Sequence, residues 1–132
     1  MINSYTFLII EDNSIDQIVT TQLLKKVLNV QEVNLAKNGS EGIQWLKDYN
    51  NEADKNLIIL VDIKMAEMDG IEFLVEFEKL NHAIKSKSLI FMLSSTLDPQ
   101  EIQEAENSIY VKKVLSKPLP AKQLETLILA TL

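Results

Sequence analysis

Leu57-Ile58-Ile59-Leu60-Val61-Asp62 is the stretch that decides the fold. Its five apolar residues are too few for a buried helix of ordinary length. They suit a strand covered on both faces, as in a parallel sheet. Asp62 closes the run where the chain leaves the sheet. A carboxylate in that place stands at the carboxyl edge, where open α/β folds bind ligands. Taken alone, Asp62 has a second reading as a turn residue or helix cap, and the flanking chain decides between the two.

Two similar runs lie on either side. Phe7 to Ile10 ends in Glu11-Asp12-Asn13, and Leu89 to Leu93 ends in Ser94-Ser95-Thr96. Val33 to Ala36 is shorter and less apolar, which suits an edge strand, and it ends in Lys37-Asn38-Gly39. Val114-Leu115 centres a fifth strand, begun as early as Tyr110 and followed by Lys117-Pro118.

Helical patterns fill the intervals. The first has Ile15, Ile18, Val19, Leu23, Leu24, Val27 and Leu28 on one broad face, with Asn13 or Ser14 as its cap. In the second, Ser40 is the expected cap, Ile43, Leu46 and Tyr49 turn inward, and Trp45 packs. The third begins at Asp69, with Glu72 completing a capping-box pattern, and carries Ile71, Leu74, Val75 and Leu80. Asp98-Pro99-Gln100-Glu101 starts a fourth helix, Pro99–Asn107, whose apolar surface is little more than Ile102 and Ala105. Pro120 opens the last, with Leu124, Leu127, Ile128 and Leu132 on one side. Residues 50–56 read as a polar loop into the third strand. His82, the one histidine, lies among polar neighbours near the end of the third helix and reads as exposed surface. Strands and helices alternating in this way predict an α/β fold: a five-stranded parallel sheet with five helices over its two faces.

Composition narrows the function. A chain of 132 residues with a hydrophobic fraction of 46% makes one domain with a real core. A net charge of −6 disfavours a nucleic-acid surface. The lack of cysteine excludes disulfides, thiol catalysis and cysteine metal sites. No apolar run is long enough to span a membrane, and the N-terminus has no signal-like region. A cytoplasmic protein without nucleic-acid or membrane partners is expected.

In a parallel sheet all strand ends of one kind share an edge. Glu11, Asp12, Asp62, Ser94 and Lys117, scattered along the sequence, therefore converge. Clustered carboxylates repel and call for a cation. With oxygen ligands and no nearby histidine, the fitting ion is Mg²⁺ or Mn²⁺. Lys117 adds a positive charge with several donors and Ser94 adds a hydroxyl, which together suit a phosphoryl group. A carboxylate in such a setting can itself attack phosphorus and form an aspartyl phosphate.

With these residues in place, the chain resembles a response-regulator receiver domain of the CheY type over essentially its whole length. The matching residues are Glu11-Asp12, Asp62, Ser94 and Lys117-Pro118, each after its strand. The loop Asp62-Ile63-Lys64-Met65-Ala66-Glu67-Met68-Asp69-Gly70 is also similar to the family's. The resemblance implies a flavodoxin-like fold with strand order 2-1-3-4-5. It implies that Asp62 accepts phosphate from a histidine kinase or a histidine phosphotransfer protein. It also implies Mg²⁺ held by Asp12, Asp62 and the Lys64 carbonyl, with Glu11 acting through a water, and Ser94 and Lys117 on the phosphoryl oxygens. Two residues depart from the pattern. Ala66 stands where proline is usual, which should loosen the loop, and Val114 stands where many members carry a switching aromatic.

The expected role is thus a phosphoacceptor signalling module rather than an enzyme. It spans residues 1–132 as a single receiver with no output domain. Output would pass to a partner protein through the Pro99–Asn107 helix, the fifth strand and the last helix, by way of Ser94. A phosphorylation-independent interaction domain is the alternative. A hydrolase of the aspartyl-phosphate type would need a covering cap, and an NTPase a glycine-rich phosphate loop, which this sequence lacks.

Overall fold

The computed structural model describes residues 2–49, 55–95 and 98–131. After a short 3-10 turn, Ile2–Ser4, come the strands β1 (Tyr5–Ile10), β2 (Val33–Ala36), β3 (Asn56–Asp62), β4 (Ser88–Ser94) and β5 (Val111–Ser116). All pair in parallel, in the order β2-β1-β3-β4-β5. β3 is central and buried from Leu57 to Asp62, as its unbroken apolar run requires.

Alternation along the strands divides the core in two. Phe7, Ile9, Ile58, Leu60, Phe91 and Leu93 face α1 (Ser14–Leu28) and α6 (Ala121–Leu129), meeting Leu24, Leu28, Leu124 and Ile128. Leu8, Ile10, Ile59, Val61, Ile90 and Met92 face the other way. They meet α2 (Gly39–Asp48), α3 (Gly70–Glu78), α4 (His82–Ser86) and α5 (Pro99–Glu106) through Ile43, Leu46, Phe73, Phe77, Ile84 and Ala105.

Among the described residues, six α-helices stand where five were expected. Asn81 caps a separate short α4 by accepting the Ile84 N–H, and it is this helix, not the end of α3, that His82 begins, exposed. The broad face assigned to α1 is also corrected. Ile15 and Ile18 are 68% and 62% exposed, while Thr20, Leu24 and Leu28 are buried. At about 3.6 residues per turn, Ile15 and Ile18 fall on the side of the helix away from Thr20. In α3 the buried side chains are Phe73, Leu74 and Phe77; Val75 is exposed and Leu80 lies past the helix. Asn38, not Ser40, caps α2, and Tyr49 follows that helix, stacked on Trp45. β5 starts at Val111 rather than Tyr110. The capping box of Asp69 and Glu72 and the Asp98 cap of α5 form as expected. Most of the 50–56 loop, the Thr96-Leu97 link and Leu132 lie outside the described residues.

Gly70 brings α3 against the end of β3. Its N–H donates to the Ile63 carbonyl at 2.7 Å. A Cβ there would stand 2.8 Å from the Asp62 carbonyl oxygen and 2.9 Å from Ile63 Cα, both backbone atoms. At Gly39 the new Cβ would meet the flexible Met68 side chain instead. Gly70→Ala should therefore destabilise the protein by about 1–3 kcal/mol, and Gly39→Ala by less. Urea denaturation of the two variants measures this; equal losses would mean that the α3–β3 approach is not the tighter one.

Candidate functional site

Register assembles the site. Ile10 lies beside Val61, so Glu11 and Asp62 come next to one another one residue further on. Ser94 lies beside Ser116, one residue before Lys117. The ladder continues past the strand ends: Glu11 N–H donates to Ala36 at 3.0 Å, Ile63 N–H to Leu93 at 3.0 Å and Lys117 N–H to Ser94 at 2.8 Å. The backbone under each site residue is thereby fixed by the sheet. Alternation places Glu11 with Phe7 and Ile9, Asp62 with Ile58 and Leu60, and Lys117 with Leu115, all on the α1 face. Ser94 falls on the opposite face with Ile90 and Met92. The peptide bond between Lys117 and Pro118 is cis.

The structure brings four of the sequence-derived side chains together. Lys117 Nζ donates to Glu11 Oε1 at 2.6 Å and to Asp62 Oδ2 at 3.0 Å. One carboxylate oxygen each from Glu11, Asp12 and Asp62 lies within 4.8 Å of the others. Glu11 and Asp62 are buried and Asp12 is exposed. Ser94 is buried at the end of β4. Lys64 is exposed; its N–H donates to Asp62 Oδ1 at 3.4 Å, and its ammonium pairs with Glu101 of α5 at 3.6 Å.

Two contacts were not foreseen from sequence. Asp16, in the first turn of α1, accepts from Lys117 Nζ at 2.8 Å. Its spacing alone does not distinguish it from any acid that suits a helix N-terminus. Ala66 N–H donates to Asp12 Oδ2 at 2.9 Å. A proline at that position would have no N–H to give, so this contact depends on the alanine.

The charges are unequal in their surroundings. Burial pushes the Glu11 carboxyl up to about 7; the Lys117 ammonium pulls against that rise and the Asp62 charge adds to it. Burial would lower the Lys117 ammonium, but hydrogen bonds to Asp16, Glu11 and Asp62 outweigh it and hold it well above the ordinary lysine value. The donor set is all oxygen, acidic and partly open to solvent. It fits a hard divalent cation such as Mg²⁺, which keeps part of its water shell.

A doubly wound parallel sheet with an acidic, lysine-bearing pocket at its carboxyl edge defines a CheY-like α/β domain. The family model of the response regulator receiver domain matches residues 7–129, and the chain belongs to that family of two-component signalling domains. It is similar to a two-component response regulator from Cytophaga hutchinsonii, with 30% identity and a TM-score of 0.84 over 95% of this chain and 94% of that one. A response regulator receiver protein from Dyadobacter fermentans is 29% identical, with a TM-score of 0.85 over 94% of each chain. Chemotaxis protein CheY4 of Vibrio cholerae shares the fold, with 24% identity and a TM-score of 0.70 over 97% of this chain and 98% of that one. No curated protein matches the chain. Among the described residues, no helix is long and apolar enough to cross a membrane.

The Glu11 shift makes stability depend on pH in the metal-free protein. Its carboxyl keeps its proton up to about 7 when folded and loses it near 4.5 when unfolded. Its stabilising contribution is therefore whole below about 4.5 and is lost as pH rises to about 7. Glu11→Gln should remove that decline, on the order of 1–3 kcal/mol. Denaturant melts in chelator across this range measure it, and an unchanged slope would assign the titration to other groups.

Proposed function

We propose that Asp62 is the phosphoacceptor of this receiver domain. The observation that carries the reading is the Lys117 ammonium 3.0 Å from Asp62 Oδ2, with Glu11 and Asp12 beside it. An Asp62 carboxylate oxygen attacks the phosphorus of a phosphohistidine on a histidine kinase or phosphotransfer protein. The oxygen–phosphorus bond forms, the phosphorus–nitrogen bond breaks, and the imidazole leaves with the electron pair. Lys117 meets the charge on the phosphoryl oxygens, and the Ser94 hydroxyl donates to one of them. Glu11, Asp12, Asp62 and the Lys64 carbonyl would hold Mg²⁺. A bound Mg²⁺ would offset the repulsion between the acids and the incoming phosphoryl group. A cytoplasmic location goes with such donors.

The signal leaves through a partner protein that reads α5, β5 and α6. Two features support that surface. Ala105 is the one fully buried residue of α5, so the helix is lightly anchored. Glu101 of the same helix pairs with Lys64, two residues from Asp62. Val114 is half-buried against the core and has no ring to rotate, which leaves Ser94 as the group that responds to phosphate.

Intact-mass analysis after incubation with acetyl phosphate and Mg²⁺ should show one added phosphoryl group. The gain should vanish in Asp62→Asn and in chelator. Phosphate mapped to Ser94 or His82, or uptake indifferent to chelator, would overturn the assignment.

A further inference from the structure

Asp16 holds a contact that the phosphoacceptor role does not use. A lysine ammonium has three N–H donors, and Lys117 spends them on Glu11 Oε1, Asp16 Oδ2 and Asp62 Oδ2 at 2.6, 2.8 and 3.0 Å. No N–H is left over in the resting protein. If Asp62 carries phosphate, its carboxyl loses its charge and the N–H now on Oδ2 can pass to a phosphoryl oxygen; a second contact from Lys117 to that dianionic group needs Glu11 or Asp16 to give up its donor.

The acceptors are not equally able to let go. The Glu11 side chain is 3% exposed and also takes the Asn13 N–H at 3.1 Å. Removing its cation would strand a buried carboxylate, which is costly. The Asp16 side chain is 39% exposed, so water can replace the ammonium there. Asp16 also sits in the first turn of α1, where the helix dipole favours a negative charge whether or not lysine is present. Its backbone is held apart from this contact, because Asp16 N–H donates to the Asn13 cap at 2.9 Å. Its side chain can turn outward without disturbing the helix start.

We propose that Asp16 is a positioning residue, the displaceable partner of Lys117: it holds the ammonium in the resting protein and yields it to the phosphoryl group. The inference rests on Asp62 being the phosphoacceptor. The Asp16–Lys117 pair then stabilises the resting state alone, and its strength sets how tightly the phosphoryl group is held. Asp12 does not play this part, since its Oδ2 is engaged by Ala66 N–H, and among the described residues Lys117 Nζ donates to Glu11, Asp16 and Asp62.

The test is a titration with beryllofluoride, a phosphoryl mimic, in saturating Mg²⁺, followed by amide NMR. Asp16→Asn should bind the mimic about two- to fivefold more tightly than wild type. Asp16→Glu, which keeps the charge, should stay close to wild type. Glu76→Gln removes an acid that pairs with Lys79 instead, away from the site, and it should also stay close to wild type. Equal or weaker binding by Asp16→Asn would overturn the proposal, as would an equal gain in Glu76→Gln, which would reduce the effect to net charge. If wild type itself binds no beryllofluoride at Asp62, the phosphoacceptor reading fails, a result distinct from either of these.

Discussion

The ammonium of Lys117 is the interaction on which the carboxyl edge depends. Glu11 and Asp62 are both buried, and two neighbouring carboxylates could not both stay ionised there without a counter-charge. Lys117 supplies that charge from the end of the edge strand β5, 106 residues along the chain from Glu11. The buried triad is a poor source of stability, because desolvation consumes much of the Coulomb gain. Its value lies in keeping acids poised where a phosphoryl group and a divalent cation would bind. Asp16 and Asp12 stand at the solvent side of the same cluster, one on the lysine and the other on the loop after β3.

Parallel pairing is what makes so remote a set of residues meet. β1 and β3 are adjacent and aligned so that Glu11 falls beside Asp62; β4 and β5 are aligned so that Lys117 follows directly on the Ser94–Ser116 pair. A slip of one residue in either pair would turn a site side chain to the opposite face. The apolar alternation that fills the two cores therefore also fixes the chemistry at the edge. Gly70 adds a further constraint, since only a residue without Cβ lets α3 approach the Asp62 carbonyl so closely.

The strands and the residues after them were legible in the sequence because unbroken runs such as Leu57 to Val61 have no competing helical reading. Four site side chains came together as foreseen for the same reason. Helix faces were less legible. Ile15 and Ile18 are apolar yet face solvent, whereas Thr20 is buried, and composition cannot say which side of an amphipathic helix the sheet will cover. Phe73 and Phe77 were missed on α3 because Ile71 and Val75 offered a rival stripe. Asp16 and the Ala66 amide were invisible for another reason. Their partners lie about a hundred and about fifty residues away and are chosen by register and loop path, not by local spacing.

The most direct measurement is a crystal structure of the protein with Mg²⁺ and beryllofluoride. The account predicts the mimic on a carboxylate oxygen of Asp62, the metal among Glu11, Asp12 and Asp62, and Lys117 Nζ still on Glu11 but no longer on Asp16. Beryllofluoride absent from Asp62 while the metal is bound, or a Lys117 that has left Glu11 and kept Asp16, would contradict it.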